Sequence, residues 1–270
     1  MTKNKEPIAE VALIGGSGFY DFFGKDAREI AMRTMFGSPS DKITVGSVFG
    51  TSVAFIPRHG KKHQIPPHKI NYQANIAALK ELGVQQVISL SAVGSLKREI
   101  KPGEFVVCDQ FIDRTKGRAD TFFDGPRVGH IEMAYPYCPR LRDTATREGK
   151  KLKFKMHPKG IVAVIEGPRF STTAESLAYA KMGCDIINMT QYPEIALARE
   201  SGMCYVNISL VTDYDVGVYS KTKIQPVSTE QVIKILKENS EKLKMLVSAL
   251  LKNMPARTCD CQVHSDRAVL

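Results

Sequence analysis

The sequence predicts an α/β fold in one domain, residues 1–270, with a central mixed β-sheet flanked by helices. Two patterns predict it: short apolar runs end at glycine, proline or small polar residues, and segments with helical spacing separate them. With 43% hydrophobic residues, the 270-residue chain can also bury a large core. The predicted strands are Val11–Ile14, Ser52–Ile56, Val84–Leu90, Phe105–Cys108, Ile161–Ile165, Asp185–Ile187 and Cys204–Val211.

Three predicted helices stop at a glycine, the residue that most readily adopts the left-handed backbone of a helix end. They are residues 72–82 before Gly83, Thr172–Met182 before Gly183, and Pro193–Ser201 before Gly202. Ser228 and Gln231 have the spacing of a capping box, which predicts a last helix that continues to about Asn253. Residues 254–270 are then expected to form a peripheral tail.

The composition excludes some classes of protein. No apolar run approaches the length that a membrane span needs, and the first ten residues lack the apolar core of a signal peptide. We therefore expect a soluble, cytoplasmic protein. A net charge of +10 fits a solvated basic surface, a nucleic-acid-binding module or a protein that attracts anionic substrates. No aromatic residues are interleaved with the basic ones as in an RNA-binding motif, which disfavours nucleic acid.

A glycine-rich turn, Gly15-Gly16-Ser17-Gly18, follows the first strand and can present backbone N–H groups to an anion. It is not a dinucleotide-binding fingerprint, because Asp21 stands where the third glycine should be. The chain also lacks the phosphate-binding loop of nucleoside triphosphatases. By itself such a glycine-rich sequence is more often a plain tight turn than an anion-binding site.

Arg58 and His59 follow the second predicted strand, and a guanidinium fork beside an imidazole donor suits phosphate oxygens. An exposed loop pair without a ligand is the alternative. His59, His63 and His68 could suggest a metal site instead. The prolines at positions 66 and 67 prevent their alignment on a helix and no acidic ligand is interleaved, so we predict no metal.

Three further strand ends carry polar or aromatic groups. Small residues around Ser91 can point backbone amides and a hydroxyl into a crevice at the edge of the sheet. Phe170 follows Ile161–Ile165 closely and could stack on a flat base, or fill the core. Asp213 and Asp215, two residues apart, face the same way and perturb each other's pKa, so that one can hold a proton and donate it. An Asx turn that caps the strand is the alternative.

Several longer runs resemble the 5′-methylthioadenosine phosphorylases, which belong with the trimeric purine nucleoside phosphorylases. They are IGGSGFYDF, IPRHGKKHQIPPHKINYQANI, SAVGSL, PGEFVVCDQFIDRT, EGPRFST, INMTQYPEIALARE and TDYD. The resemblance covers about residues 9 to 250, in order. It implies the fold of that family and phosphorolysis of 5′-methylthioadenosine, with phosphate as co-substrate and no metal or organic cofactor.

The resemblance also implies roles for single residues. Phosphate would be held by Ser17, Arg58, His59, Ser91, Ala92 and Thr190. Met189 would pack on the ribose and Phe170 on the base, with Asp213 and Asp215 at the purine N7 and amino edge. His130 would reach the 5′ pocket of a neighbouring subunit, so the protein would be a homo-oligomer, a trimer or a dimer of trimers. Ser171 and Thr229 fall near positions that shape the 5′ end, although an insertion around residues 218–223 disturbs the second alignment.

Three rival functions remain. A 6-oxopurine nucleoside phosphorylase would favour an amide at the base, whereas the carboxylate of Asp213 suits an amino group. A nucleosidase that uses water would leave Arg58 and His59 without a purpose. A basic nucleic-acid-binding module is the rival of another class.

The six cysteines include a Cys259-Asp260-Cys261 sequence near the C-terminus, and reduced cytoplasmic proteins seldom carry so many. We expect that Cys259 and Cys261 can pair, and that Cys138 pairs with Cys204. Six cysteines allow 15 connectivities, so the sequence cannot choose among them. The alternative is a flexible tail with two free thiols.

Overall fold

The computed structural model describes residues 7–16, 19, 22–24, 26–216 and 226–269. Within these ranges, eleven strands form one mixed sheet, as predicted. The strands are β1 (Val11–Gly15), β2 (Arg28–Ile30), β3 (Ile43–Val48), β4 (Thr51–Pro57), β5 (Gln86–Ser95), β6 (Phe105–Val107), β7 (Gln110–Arg114), β8 (Met156–His157), β9 (Ile161–Ile165), β10 (Ile186–Asn188) and β11 (Cys204–Tyr214). The helices are α1 (Tyr72–Glu81), α2 (Pro139–Lys151), α3 (Thr173–Lys181), α4 (Gln191–Glu200), α5 (Thr229–Glu238), α6 (Ser240–Lys252) and α7 (Cys261–Asp266).

Strand β5 is the centre of the sheet and changes neighbour along its length. Its first half pairs in parallel with β1 as far as Ser89, and its end pairs antiparallel with β10 at Gly94 and Ser95. On its other side, β11 runs parallel to it along the whole length. The stretch from Leu90 to Val93 therefore lies between two different neighbours on one edge. A change of strand partner of this kind opens a crevice in which α/β proteins bind ligands.

Helices cover both faces of the sheet, because alternate residues of a strand point to opposite sides. In β1 the side chains of Ala12 and Ile14 belong to one buried apolar cluster, and those of Val11 and Leu13 belong to another. The first cluster is completed by α1 and α4, and the second by α2 and α6. No helix in the described ranges has the length and apolar character to cross a bilayer.

The predicted helix ends are confirmed. Gly83, Gly183 and Gly202 have φ of +88°, +89° and +72°, directly after the turns that close α1, α3 and α4. In α4, Tyr192 has non-helical dihedral angles (φ −111°, ψ 136°), so the regular helix starts at Pro193, where the sequence predicts it. Ser228 accepts from the N–H of Gln231 and caps α5.

The prediction of one last helix up to Asn253 is wrong. Asn239 (φ −111°, ψ 7°) separates α5 from α6, and its side-chain amide donates to the carbonyl of Ile235 at 2.9 Å. The strands β2, β3, β7 and β8 and the helices α2 and α7 were also not predicted. The strand β2 has no fully buried residue and β8 is two residues long, so neither produces a clear apolar run.

The C-terminal segment, which was expected to be a peripheral tail, contacts the main body of the domain. Cys261 and Ala268 are buried, the hydroxyl of Ser265 donates to the carbonyl of Glu200 at 2.7 Å, and the carbonyl of Ala268 accepts from the backbone N–H of His130 at 2.7 Å. This segment therefore packs on the main body of the domain.

The expected disulfides are absent, since all six cysteines are free thiols. The four sulfur atoms named for the two bridges nevertheless lie together, all within 4.8 Å of one another; they belong to Cys138, Cys204, Cys259 and Cys261.

Candidate functional site

The candidate site lies where β1, β4, β5 and β11 end near the crevice beside Leu90–Val93. Arg58, directly after β4, connects three of these strands. Its backbone N–H donates to the carbonyl of Gly15 at 2.9 Å, and its Nη1 donates to the carbonyl of Leu90 at 3.0 Å. Ser91 and Ala92 are half-buried in the crevice, between fully buried neighbours. The strand ends that the sequence singled out therefore meet on one side of the sheet.

A buried carboxylate that the sequence analysis missed holds Arg58. Glu194 on α4 accepts from Nε of Arg58 at 2.7 Å and from Nη2 at 2.9 Å, and both side chains are almost fully buried. It also accepts hydroxyl protons from Ser89 at 2.7 Å and Tyr205 at 2.8 Å. Burial alone would lower the pKa of Arg58, but the charge and hydrogen bonds of Glu194 raise it. The predicted bidentate contact of Arg58 with phosphate must be corrected for this reason.

Counting the donors of Arg58 shows what remains for a ligand. A guanidinium has five N–H groups. Glu194 takes two of them, Ser89 Oγ accepts a third at 2.8 Å, and the carbonyl of Leu90 accepts a fourth at 3.0 Å. One Nη1–H is left for a ligand. Arg58 can therefore supply positive charge and one hydrogen bond to an anion, but not a two-bond fork.

The Nε2 of His59 is an acceptor in the neutral ring, although the sequence analysis assigned His59 as a donor. Its Nδ1 lies 2.9 Å from the carbonyl of Ile65. Because a carbonyl only accepts, Nδ1 carries the proton. Burial and the neighbouring Arg58 charge lower the pKa of His59 to about 4. At neutral pH the ring is thus uncharged, and its Nε2 can accept a proton from a phosphate P–OH group.

The other residues predicted for phosphate lie nearby or outside the described ranges. Asn207 on β11 donates to Ser91 Oγ at 2.9 Å, which orients that hydroxyl so that its own proton is free to donate. Thr190 is buried after β10, where Asn188 donates to its hydroxyl at 3.4 Å and accepts from its N–H at 3.1 Å. Ser17 lies outside the described residues. Asn207 was not predicted from the sequence, because an asparagine within an apolar strand has no motif around it.

Asp213 and Asp215 come together beside Gly94, as their spacing predicts. A Cβ placed on Gly94 would lie 3.0 Å from Asp213 Oδ1 and 3.3 Å from Asp215 Cβ, so glycine makes room for both carboxylates. Burial, with a smaller contribution from the charge of Asp215, raises the pKa of Asp213 to about 6. Asp213 can therefore hold and release a proton near neutral pH.

Asp215 is held in its acceptor role by two hydroxyls. Ser171 and Ser176 both donate to its Oδ2, at 2.7 and 2.5 Å. Burial raises the pKa of Asp215, and these two hydrogen bonds oppose that shift. Ser171 was expected near the 5′ end of the nucleoside; its hydroxyl donates to Asp215, and its place at the 5′ end stays a prediction.

The loop after β9 carries the predicted aromatic residue. Phe170 is 38% exposed, too open for a core side chain and suited to stack on a flat ligand. A Cβ on Gly167 would lie 2.6 Å from Met189 Sδ, which shows how closely this loop contacts Met189. Gly167 also has φ of +68°, a backbone conformation that other residues rarely adopt.

Arg118 organises this region and was not predicted. Its Nη1 donates to the carbonyls of Met189 at 3.0 Å and Tyr192 at 2.7 Å, and its Nη2 donates to the carbonyl of Glu166 at 2.7 Å. Its Nε pairs with the carboxylate of Glu166 at 3.1 Å. One buried guanidinium therefore ties the loop that carries Phe170 to the segment that carries Met189.

His130 and Thr229 are both exposed, and the helix α5, which Thr229 begins, contacts β11. His130 is exposed, on a segment whose Gly129 forms a bridge with Val269 near the C-terminus. Thr229 is exposed at the start of α5. The insertion at residues 218–223 lies outside the described residues.

Comparison with known proteins agrees with this geometry. Residues 10–252 match the sequence model of the Phosphorylase superfamily. The chain belongs to this superfamily. It is 51% identical over 264 residues to the S-methyl-5′-thioadenosine phosphorylase of Thermofilum pendens, a match that covers 97% of this chain and 98% of the relative.

Solved structures of the superfamily have the same fold. A methylthioadenosine phosphorylase from an antarctic soil metagenomic library is 37% identical, with a TM-score of 0.89 over 98% of this chain and 93% of that one. The methylthioadenosine phosphorylase of Schistosoma mansoni in complex with adenine is 35% identical, with a TM-score of 0.88 over 96% of each chain. The fold expected from the resemblance is confirmed.

Proposed function

We propose that this phosphorylase cleaves 5′-methylthioadenosine with inorganic phosphate to give adenine and 5-methylthioribose 1-phosphate, a step of purine and methionine salvage. One observation carries the proposal: in a chain about half identical to relatives of that name, a buried carboxyl pair is poised for an aminopurine. Asp213 has a pKa near neutrality, and Asp215 is fixed as a hydrogen-bond acceptor by Ser171 and Ser176.

In the proposed reaction, a phosphate oxygen attacks C1′ of the ribose while the bond between C1′ and N9 breaks. The electron pair of that bond moves into the purine, and Asp213 donates its proton to N7. Asp215 accepts from the exocyclic amine. Positive charge develops on the sugar in the transition state, and the phosphate anion beside it stabilises that charge. Phosphate is a co-substrate, and none of these steps uses a metal or organic cofactor.

On the phosphate side, we assign Arg58, His59, Ser91, Ala92, Thr190 and Ser17 to the anion. Arg58 contributes charge and one N–H, Ser91 donates its hydroxyl proton, and His59 accepts a phosphate proton. Met189 would contact the ribose and Phe170 the base. The contacts of Arg118 with the backbone support this arrangement, since they fix the two segments on which Met189 and Phe170 lie.

We also propose that adenosine is a second, weaker substrate, and that the protein works in the cytoplasm as a trimer or a dimer of trimers, without a nucleic-acid or membrane partner. The exposed His130 supports the oligomer, because an exposed side chain could complete the site of a neighbouring subunit. Light scattering during gel filtration tests the assembly, and a monomer with full activity would contradict it.

The deciding experiment is to incubate the purified protein with 5′-methylthioadenosine, with and without phosphate, and to measure adenine and 5-methylthioribose 1-phosphate. We expect both products, only with phosphate. Adenine released equally fast without phosphate would indicate a nucleosidase. Turnover of inosine but not of 5′-methylthioadenosine would favour the 6-oxopurine alternative. No turnover of either, with tight binding of RNA, would support a nucleic-acid-binding protein.

A further inference from the structure

Four polar side chains interrupt the apolar pattern of the two central strands, β5 and β11. Ser89 and Ser91 lie two residues apart on β5, and the strand register places Asn207 and Ser209 of β11 opposite them. Residues two apart on a strand point to the same face, so the four side chains form one polar patch in the sheet. Three of them are fully buried, and Ser91 is half-buried at the crevice. Because a buried polar group costs free energy unless it is paired, each hydrogen bond in this patch has to be accounted for.

We propose that Asn207, Ser209 and Gln191 are positioning residues for phosphate. Their hydrogen bonds run in one direction and force the hydroxyl of Ser91 to donate to the bound anion. Together with Tyr137, we call these three residues the buried network. The inference rests on the proposed phosphate site and extends it to side chains that are themselves buried.

The carboxylate of Glu194 sets the direction of the first bond. Ser89 donates its only proton to Glu194 at 2.7 Å, because a carboxylate that is ion-paired with arginine only accepts. The oxygen of Ser89 can then only accept from Asn207, which lies 3.1 Å away. The group of Asn207 that faces Ser89 is therefore the amide NH₂, and its second hydrogen goes to Ser91 at 2.9 Å.

This orientation of Asn207 fixes the remaining bonds of the buried network. The amide oxygen of Asn207 accepts the proton of Ser209 at 2.7 Å. The oxygen of Ser209 is then left to accept from Nε2 of Gln191 at 3.3 Å. The other end of that amide, Oε1 of Gln191, accepts from the hydroxyl of Tyr137 at 2.5 Å. Reversal of either amide would bring two buried donors or two buried acceptors face to face, so one arrangement is favoured.

Ser91 is the residue at which the buried network meets the crevice. Its oxygen accepts from Asn207, and no residue in the described ranges accepts its proton. The proton is therefore available to an oxygen of the anion. A serine hydroxyl can otherwise rotate between donor and acceptor roles. The buried network removes that freedom before the anion binds, which lowers the cost of binding.

Gln191 also connects the buried network to Thr190, a second residue assigned to phosphate. The side-chain oxygen of Asn188 accepts from the backbone N–H of Thr190 at 3.1 Å and from that of Gln191 at 3.3 Å. The segment that carries Thr190 is thus held by its backbone and by the side chain of Gln191. Both sides of the proposed anion contact depend on the same buried amide.

The test measures phosphate binding to the full chain and its variants by isothermal titration calorimetry, without nucleoside. We expect Ser91→Ala to weaken phosphate binding by about tenfold or more, as the loss of a hydrogen bond to a charged group does. Asn207→Ala should weaken it by a similar factor. Ser209→Ala removes the donor to Asn207 but leaves Ser91 in place, and should weaken binding by about threefold or more. In steady-state kinetics the KM for phosphate should rise, whereas the KM for nucleoside should not change.

A double-mutant cycle separates this role from a structural one. In a Ser91→Ala background, Asn207→Ala and Ser209→Ala should cause little further loss, because residues that act through Ser91 have nothing left to position. Asn75→Ala is the matched control. Asn75 is also a buried asparagine, on α1, and its amide donates to Ser40 at 2.9 Å. Its replacement should lower the melting temperature and leave phosphate binding unchanged.

Two results would overturn the inference. One is unchanged phosphate binding in both Asn207→Ala and Ser209→Ala. The other is an equal loss with and without Ser91, which would mean that these residues act through the fold or through Arg58. Ser209→Ala removes a single hydroxyl, so it decides the question even if Asn207→Ala fails to fold. A wild type that binds phosphate but cleaves no nucleoside would contradict only the proposed function, because the calorimetry does not depend on turnover.

Discussion

The carboxylate of Glu194 accepts hydrogen bonds from Nε and Nη2 of Arg58, at 2.7 and 2.9 Å, near the crevice that opens where β5 changes neighbour. Arg58 is 2% exposed and Glu194 is 1% exposed. A buried pair of this kind resists the removal of either partner, because the remaining charge stays buried without compensation. Arg58 is thus both a structural residue and, with its one remaining N–H, a candidate anion contact.

Replacement of Arg58 tests both roles. We expect Arg58→Ala to raise the KM for phosphate strongly, with little change in the KM for nucleoside, and to destabilise the fold by about 3–5 kcal/mol. Steady-state kinetics and denaturant unfolding measure these effects. Arg33→Ala, at an exposed arginine outside the candidate site, is the control and should change neither. An unchanged phosphate KM would mean that the anion binds elsewhere.

Replacement of Asp213 tests the proton donor. Asp213→Asn keeps the shape of the side chain but removes the titratable proton. Since general acid catalysis contributes about 10²–10⁴-fold, we expect the kcat for adenine nucleosides to fall by that order. The added amide donor should raise the relative activity on 6-oxopurine nucleosides. The exposed Asp143→Asn on α2 serves as control. Unchanged turnover and base preference would disprove the assignment.

The raised pKa of Asp213 also predicts how stability depends on pH. Its ordinary value of 3.8 rises to about 6 in the folded protein, so between these values the folded state binds more protons than the unfolded state. The free energy of unfolding must therefore fall as the pH rises from about 4 to 6. Asp213→Asn should remove this part of the dependence and be more stable than the wild type at pH 7, by up to about 3 kcal/mol. Urea unfolding of both proteins at pH 4 and pH 7 measures the difference; equal slopes would contradict the shifted pKa.

The neutral His59 predicts selectivity among anions. Its Nε2 can accept from the P–OH of hydrogen phosphate, whereas sulfate has no proton to give at neutral pH. An unsatisfied buried acceptor costs about 1–3 kcal/mol, so we expect this loss alone to weaken the binding of sulfate relative to phosphate by about 5- to 150-fold. His59→Ala should reduce this discrimination. Equal inhibition of the wild type and the variant by sulfate would indicate that His59 does not face the anion.

Ser171 separates the base side from the 5′ side. Its hydroxyl donates to Asp215 at 2.7 Å, so Ser171→Ala should lower kcat for 5′-methylthioadenosine and adenosine by a similar factor. A change in the ratio of the two kcat/KM values would instead restore Ser171 to the 5′ pocket. The wild type should discriminate between these substrates by less than about 10⁴-fold, since hydrophobic fit gives only about 10–200-fold per methylene. Ser248→Ala on α6 is the control.

The helix ends and the carboxyl pair of this protein could be predicted from the sequence, because each depends only on residues that are close together in the chain. A glycine that ends a helix requires a positive φ wherever the helix packs, so Gly83, Gly183 and Gly202 could be assigned from the chain alone. Asp213 and Asp215 are two residues apart at the end of one strand, and that spacing already places both carboxylates on one side.

The rest was decided by the tertiary structure, because it depends on residues far apart in the chain. Nothing near Arg58 indicates that Glu194, 136 residues away, takes two of its five donors. His59 becomes an acceptor only because the carbonyl of Ile65 folds back to hold its Nδ1 proton. The sulfurs of Cys138, Cys204, Cys259 and Cys261 lie close together only because α2, β11 and the C-terminal segment pack against one another, and no spacing along the chain indicates this.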